Sequence, residues 1–172
     1  DMVQSRGLGD VYKRQDGTRM IVAGAGNRFQ HRIHEYSLST GFDLSSTVTH
    51  LNTEDLISFQ NHIDGVTFNY DGTKMYTITT MPKAQDLMYQ FKLTTPYDVS
   101  TLSLEGTYTV SSVSVSSTEV VFSNDGSKMF IIDIDNFKVH EFNLSCNWSI
   151  IDGACDDPIT TSDGGKDILS SI

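Results

Sequence analysis

The sequence predicts an all-β chain built from three copies of one repeat. Three observations carry that prediction. The block Asp16-Gly17-Thr18-Arg19-Met20-Ile21 returns as Asp71-Gly72-Thr73-Lys74-Met75-Tyr76 and again as Asp125-Gly126-Ser127-Lys128-Met129-Phe130, at spacings of 55 and 54 residues. A second block follows each first one: His34-Glu35-Tyr36-Ser37-Leu38, Tyr89-Gln90-Phe91-Lys92-Leu93 and His140-Glu141-Phe142-Asn143-Leu144. Both blocks alternate with period two, the signature of a strand with one face inward, and helical periodicity is absent.

The elements follow in order. Val66, Phe68 and Tyr70 stand on alternate positions before the second Asp-Gly, and Val120 and Phe122 stand in the same register before the third. Asp-Gly between two alternating runs signals a hairpin, because glycine accepts the positive φ of a tight turn. Residues 66–70 are then one strand and 74–79 its antiparallel neighbour. Residues 34–38 and their equivalents make a third strand, and 47–51 and 107–113 are candidates for a fourth. Four residues past each repeated Leu comes an aromatic, Phe42, Tyr97 or Trp148, and two further on an aliphatic, Leu44, Val99 or Ile150.

Four short strands in a repeat of roughly 50 residues is the unit of a β-propeller blade. The expected architecture is a β-propeller fragment of about three four-stranded antiparallel blades. Residues 16–64 form the first blade, incomplete at its N-terminal edge, 65–117 the second and 118–157 the third. Residues 158–172 are a polar tail or a degenerate start of a fourth blade, since Asp163-Gly164-Gly165-Lys166-Asp167-Ile168 mimics the turn block. Residues 1–15 lack either periodicity, and their run Gly9-Asp10-Val11-Tyr12-Lys13-Arg14-Gln15 resembles a translated sequencing adapter, so they are read as a non-native or disordered leader. Three blades are fewer than the four to eight that close a ring. A fragment cut at both ends is therefore expected, with its edges covered by further blades or by self-association.

The blocks resemble the F-S-x-D-G-[TS]-K-M-[YF] repeat of bacterial and marine metagenomic β-propeller proteins, which are distantly like lactonase-type and WD-repeat-like propellers. The stretch from Val120 to Phe130 matches best, and the partner block Phe91-Lys92-Leu93-Thr94-Thr95-Pro96-Tyr97-Asp98-Val99-Ser100-Thr101 matches a Y-x-L-S-T-P-[WFY]-D-[IVL]-S-T pattern. In the third repeat Cys146 replaces Thr, Asn147 replaces Pro and Ser149 replaces Asp. The resemblance covers residues 16–150. It implies the fold and leaves activity open, because one propeller scaffold carries many functions.

Composition narrows the classes of function. The 172 residues carry 12 Lys and Arg against 22 Asp and Glu, a net charge of -10. An acidic chain repels phosphate, so no nucleic-acid partner is expected. No apolar stretch reaches the roughly 20 residues of a membrane-spanning helix. Cys146 and Cys155 are the only cysteines, too few for a four-Cys zinc site. They are either a disulfide or two buried thiols. Asn143-Leu144-Ser145 and Asn147-Trp148-Ser149 are glycosylation-type sequons. Together with the acidic composition they point to an extracellular or cell-surface setting.

The chemistry-bearing residues read mainly as structural. Asp16, Asp71 and Asp125, each followed by Gly17, Gly72 or Gly126, are turn residues, since an Asp carboxylate accepts backbone N–H bonds within its own turn. The sialidase Asp-box spaces Asp and Gly differently. Arg19, Lys74 and Lys128 are expected as solvated strand residues, and Met20, Met75 and Met129 as packing residues. His31 and His34 would face opposite sides of a strand, and His34 and His140 are expected to pack half-buried. His50 and His62 fall at a long segment, 51–64, of the kind that carries specificity. Asp133-Ile134-Asp135-Asn136 sets Asp133, Asp135 and Asn136 as weak metal candidates, with calcium the ion such oxygens would take. No cofactor is predicted, and no nucleophile–base pair or catalytic residue stands out. The expected function is a non-enzymatic module binding a protein or glycan. The alternatives are part of a lactonase- or quinoprotein-type propeller enzyme, or a structural repeat of a phage or surface-layer spike.

Overall fold

The structure is a computed structural model that describes residues 16–24, 31–60, 62–79, 87–110, 117–151, 155, 160–161 and 166–167. The leader, residues 1–15, and the Asp163-Gly164-Gly165 mimic of the turn block lie outside the described residues. The chain is all-β, and its described residues form three successive antiparallel sheets and a single 3-10 turn, Val99–Thr101.

The first sheet runs β1 (Arg19–Ala23), β2 (Arg32–Leu38), β3 (Val48–Asp55). The second runs β4 (Gly65–Phe68), β5 (Lys74–Thr79), β6 (Leu87–Leu93), β7 (Leu102–Thr109). The third runs β8 (Ser117–Phe122), β9 (Lys128–Asp133), β10 (Lys138–Asn143), and two short pieces, β11 (Thr160–Thr161) and β12 (Lys166–Asp167), share the outer edge of β10. The Asp-Gly turns join the expected hairpins, with Phe68 opposite Met75 and Phe122 opposite Met129.

Among the described residues the sheets hold three, four and five strands, the first short at its N-terminal edge as the sequence reading has it. Two details differ from that reading. The outermost strands sit elsewhere: β3 runs on to Asp55, and β7 starts at Leu102 and stops at Thr109. These strands are mostly exposed, so their alternation carries little hydrophobic signal. Finally, Thr161 pairs with Phe142 and Lys166 with Val139, so the described parts of 158–172 belong to the third sheet instead of a tail or a fourth blade.

The middle strands carry a bulge at one repeated place. Register shifts between Glu35 and Tyr36 against β3, and between Gln90 and Phe91 against β7. An extra residue in the partner strand bends and twists the pair locally. Glu35 shares the face of Ile33, and Gln90 that of Met88, so both are buried and turned toward the next sheet.

Two apolar cores lie between successive sheets. One gathers Ile33, Leu56 and Ile63 with Met75, Phe91, Leu93 and Val99. The other gathers Tyr76, Ile78 and Met88 with Met129, Ile131, Phe142 and Ile150. Period-two alternation along β5 sends Met75 into the first core and Tyr76 and Ile78 into the second. The central strands of the middle sheet, β5 and β6, are thus buried on both faces.

Candidate functional site

Each repeat closes one end of its sheet with the same unit. The turn carboxylate accepts from the residue two further on: Asp16 from Thr18 N at 2.9 Å, Asp71 from Thr73 N at 3.0 Å and Asp125 from Ser127 N at 3.0 Å. The hydroxyls of the same residues donate as well. The Ser123 hydroxyl and the Ser127 amide and hydroxyl hold the Asp125 carboxyl down at about 2, from an ordinary 3.8. Thr18 lowers Asp16 in the same way. For Asp71 burial acts upward, and the bonds from Thr73 and Asn69 outweigh it.

The glycine and the distant aromatic are one device. Gly17, Gly72 and Gly126 have φ of 70°, 72° and 72°, where a side chain is strained. Phe42, Tyr97 and Trp148 also lie in the left-handed region, at 60°, 61° and 60°. Their amides donate to the glycine carbonyls at 3.1, 2.9 and 2.9 Å. Each ring covers its glycine so closely that a Cβ there would stand 2.4 Å from Phe42 or Tyr97 and 2.3 Å from Trp148. The next residue caps the loop. Asp43 accepts from Ser45 N at 2.9 Å and Asp98 from Ser100 N at 3.0 Å, while Ser149 takes the place of Asp and accepts from Ile151 N at 3.3 Å.

The bulge residues join one sheet to the next. Glu35 accepts from Val99 N at 3.3 Å, and Gln90 Oε1 accepts from Ile150 N at 2.9 Å. Arg19 and Asn52 also hold the Glu35 carboxylate. Lys74 Nζ and the Tyr76 hydroxyl donate to Trp148 O at 3.1 and 2.6 Å. Desolvation and the Glu105 and Asp71 carboxylates push the Tyr76 phenol far above its ordinary value, so it stays a donor. This corrects the reading of Arg19, Lys74 and Lys128 as merely solvated: Arg19 pairs with Glu35, Lys128 with Glu141, and Lys74 crosses to the third sheet. The paired recurrence of a cation after Asp-Gly and of Glu, Gln and Glu in the second block was the available signal.

Beside these turns runs a groove of about 720 Å³, with walls from all three sheets. Asp16, Thr18, Arg19 and Ile21 line it from the first sheet, Val66, Phe68 and Tyr97 from the second, and Val121, Phe122 and Trp148 from the third. Its lining is mixed: aromatic and aliphatic side chains alternate with Asp16, Thr18, Arg19, Thr67, Asn69 and Asn124. Among the described residues β1 pairs only with β2. Among the described residues no strand stands beside β1 where β4 stands beside β5 and β8 beside β9.

The remaining candidates scatter. Asp133 is buried on β9 and accepts from Asn136 Nδ2 at 2.9 Å, with His140 Nε2 at 3.5 Å. Burial pushes its carboxyl up, but the Asn136 and His140 bonds prevail and hold it below its ordinary value. Asp135 is exposed and apart from this pair. Among the described residues no three His, Cys, Asp or Glu side chains cluster as a metal would need. His31 pairs with Asp55 at 3.3 Å and His62 with Asp64 at 3.0 Å. His50 is on β3, where its ring meets Tyr36 edge-on at 5.3 Å and Nε2 reaches Thr53 at 2.7 Å. Its neighbour His34, whose Nδ1 lies 2.9 Å from the Thr53 hydroxyl, is lowered by desolvation and by the nearby His50 and Arg32. His140 is buried rather than half-buried. Cys146 and Cys155 are joined as a disulfide, Cα–Cα 5.5 Å, behind the Trp148 loop. Asn143 and Asn147 are both exposed.

No protein-family model matches the chain, and no curated protein matches it. Solved structures do. A candidate 6-phosphogluconolactonase from Bacteroides fragilis superposes on 88% of the chain with a TM-score of 0.54 and 12% identity. One from Bacteroides uniformis superposes on 88% with a TM-score of 0.57 and 10% identity. The chain spans 36% and 38% of those two proteins. The likeness is one of fold, and it sets this three-sheet array beside a part of larger proteins.

Proposed function

We propose that the chain is a non-enzymatic binding module, a portion of a β-propeller, that takes an extended polypeptide segment in the groove beside β1. The observation that carries this reading is the edge of β1, paired by no strand among the described residues, next to a groove with aromatic side chains in its walls. An unpaired strand edge offers a row of backbone donors and acceptors, and pockets beside it select alternate side chains. The segments that fill the equivalent places, β4 and β8, show the chemistry that fits: Val66 and Phe68 in one, Val120 and Phe122 in the other. The acidic charge of -10 favours a neutral or cationic segment. The disulfide and the two exposed sequons suit an extracellular or cell-surface setting. No helix among the described residues is long and apolar enough to cross a membrane.

The test is titration of the chain with a synthetic peptide of the β8 sequence, followed by amide NMR. Binding moves the amides of Arg19–Ala23, and Val121→Glu weakens it by about tenfold, about 1.4 kcal/mol. Shifts confined to other strands, or no binding, would remove this reading. A second reading is favoured by the two Bacteroides neighbours: part of a lactonase-type enzyme whose catalytic groups come from several blades. Hydrolysis of a sugar lactone by the chain, lost with Asp133→Asn, would support it.

A further inference from the structure

We propose that the Cys146–Cys155 disulfide is a redox switch on one junction: reduction by a dithiol frees the Trp148 loop and loosens the second sheet from the third, while the junction between the first and second stays closed. The three equivalent loops differ in what ties them. In the second repeat the Thr101 hydroxyl joins both ends of the loop, donating to Asp98 O at 2.8 Å and accepting from Thr95 N at 3.2 Å. Ser46 does the same in the first, donating to Asp43 O at 2.6 Å and accepting from Thr40 N at 3.3 Å. The Asp98 and Asp43 carboxylates each add an amide and a hydroxyl, from Ser100 and Ser45.

The third loop is built differently. Ser149 stands for the Asp and accepts from Ile151 N at 3.3 Å, and Ile151 stands for the Ser and brings no hydroxyl. In the sequence Asp152 stands for Ser46 and Thr101, and an ionised carboxylate has no proton to donate to a carbonyl. The position of Thr40 and Thr95, where the hydroxyl tie is anchored, is Cys146, and its bond to Cys155 closes this loop instead. The same loop holds the junction. Trp148 O accepts from Lys74 Nζ and the Tyr76 hydroxyl, and Ile150 N donates to Gln90. Cys155 is exposed and Cys146 half-buried, so a reductant reaches the bond. The dithiol supplies two electrons and two protons: the Sγ–Sγ bond breaks, two thiols form, and the sulfurs of the reductant join as a disulfide.

Trp148 is the only tryptophan of the 172-residue chain, so its emission reports this loop directly. The experiment treats the chain with dithiothreitol, confirms both thiols by titration, and follows Trp148 emission together with hydrogen exchange of the Val99 and Ile150 amides. Reduction should shift the emission to the red and speed Ile150 exchange by about tenfold, with Val99 unchanged. Reoxidation should reverse both changes. A graft of the second-repeat loop (Cys146→Thr, Ser149→Asp, Ile151→Ser and Asp152→Thr, with Cys155→Ser) restores the hydroxyl tie without sulfur and should keep Ile150 slow in dithiothreitol. Emission and Ile150 exchange that do not change once both thiols titrate would overturn the proposal. So would Val99 exchange that speeds up as much as that of Ile150, because the disulfide would then staple the whole array and not one junction.

Discussion

The two junctions between sheets occupy the same positions and use different chemistry. Between the first and second sheets the acceptor is the Glu35 carboxylate, held by Arg19 and Asn52, and it takes the Val99 amide. Between the second and third it is the neutral Gln90, whose amide donates to Glu105 at 2.8 Å and whose oxygen takes the Ile150 amide. The cation freed from the bulge residue, Lys74, crosses to Trp148 O together with the Tyr76 hydroxyl. The backbone sets what must be satisfied, one buried amide per junction. The side chain meets that need with or without charge, provided an acceptor arrives at the bulge.

The largest expected effect separates covered from uncovered repeats. Ile150→Ala empties a fully buried site in the second core and should cost about 3 kcal/mol by urea denaturation. Leu44→Ala, at the same repeat position but exposed, should change stability by less than about 0.5 kcal/mol. Equal costs would break the comparison.

Next come the turn glycines. Gly72→Ala forces a Cβ into the Tyr97 ring at positive φ, for about 2–3 kcal/mol. Gly17→Ala keeps the φ penalty, but Phe42 is exposed and can swing aside, so about 1 kcal/mol is expected. The junctions themselves follow. Gln90→Ala strands the Ile150 amide, for about 1–2 kcal/mol. Glu35→Ala strands Arg19 and Asn52 as well as the Val99 amide, and should cost more.

The smallest effect is a pH dependence. The folded-state pKa values of Asp16, Asp71 and Asp125 lie below their ordinary value, Asp125 at about 2. Depressed carboxylates add stability above the ordinary pKa of 3.8, and that stability fades as pH falls from about 4 toward about 2. Glu54 runs the other way: burial and the Asp98 carboxylate raise its pKa, so its contribution is lost as pH rises through 4.5 and beyond. Urea midpoints should therefore fall on acidification below pH 4, and Asp125→Asn should flatten that fall.

Much of the fold was legible because it repeats. The Asp-Gly blocks, the second-block strands and the aromatic–aliphatic pair are the residues that build the turn unit. The outer strands were misplaced because one face meets solvent and a bulge shifts their register, and neither leaves a hydrophobic period. The acceptor role of Glu35 and Gln90 was invisible for another reason. A polar residue within an alternating strand reads as outward-facing, yet Glu35 shares the inward face of Ile33, and Gln90 that of Met88. The groove was equally unreadable, since its walls come from residues more than a hundred positions apart, such as Asp16 and Trp148.

Hydrogen exchange of three equivalent amides tests most directly whether the repeats stack through these junctions. Val99 and Ile150 should exchange slowly, protected by Glu35 and Gln90, and Leu44 should exchange fast. Equal rates at all three positions would contradict the account, because the sheets would then not be joined as described.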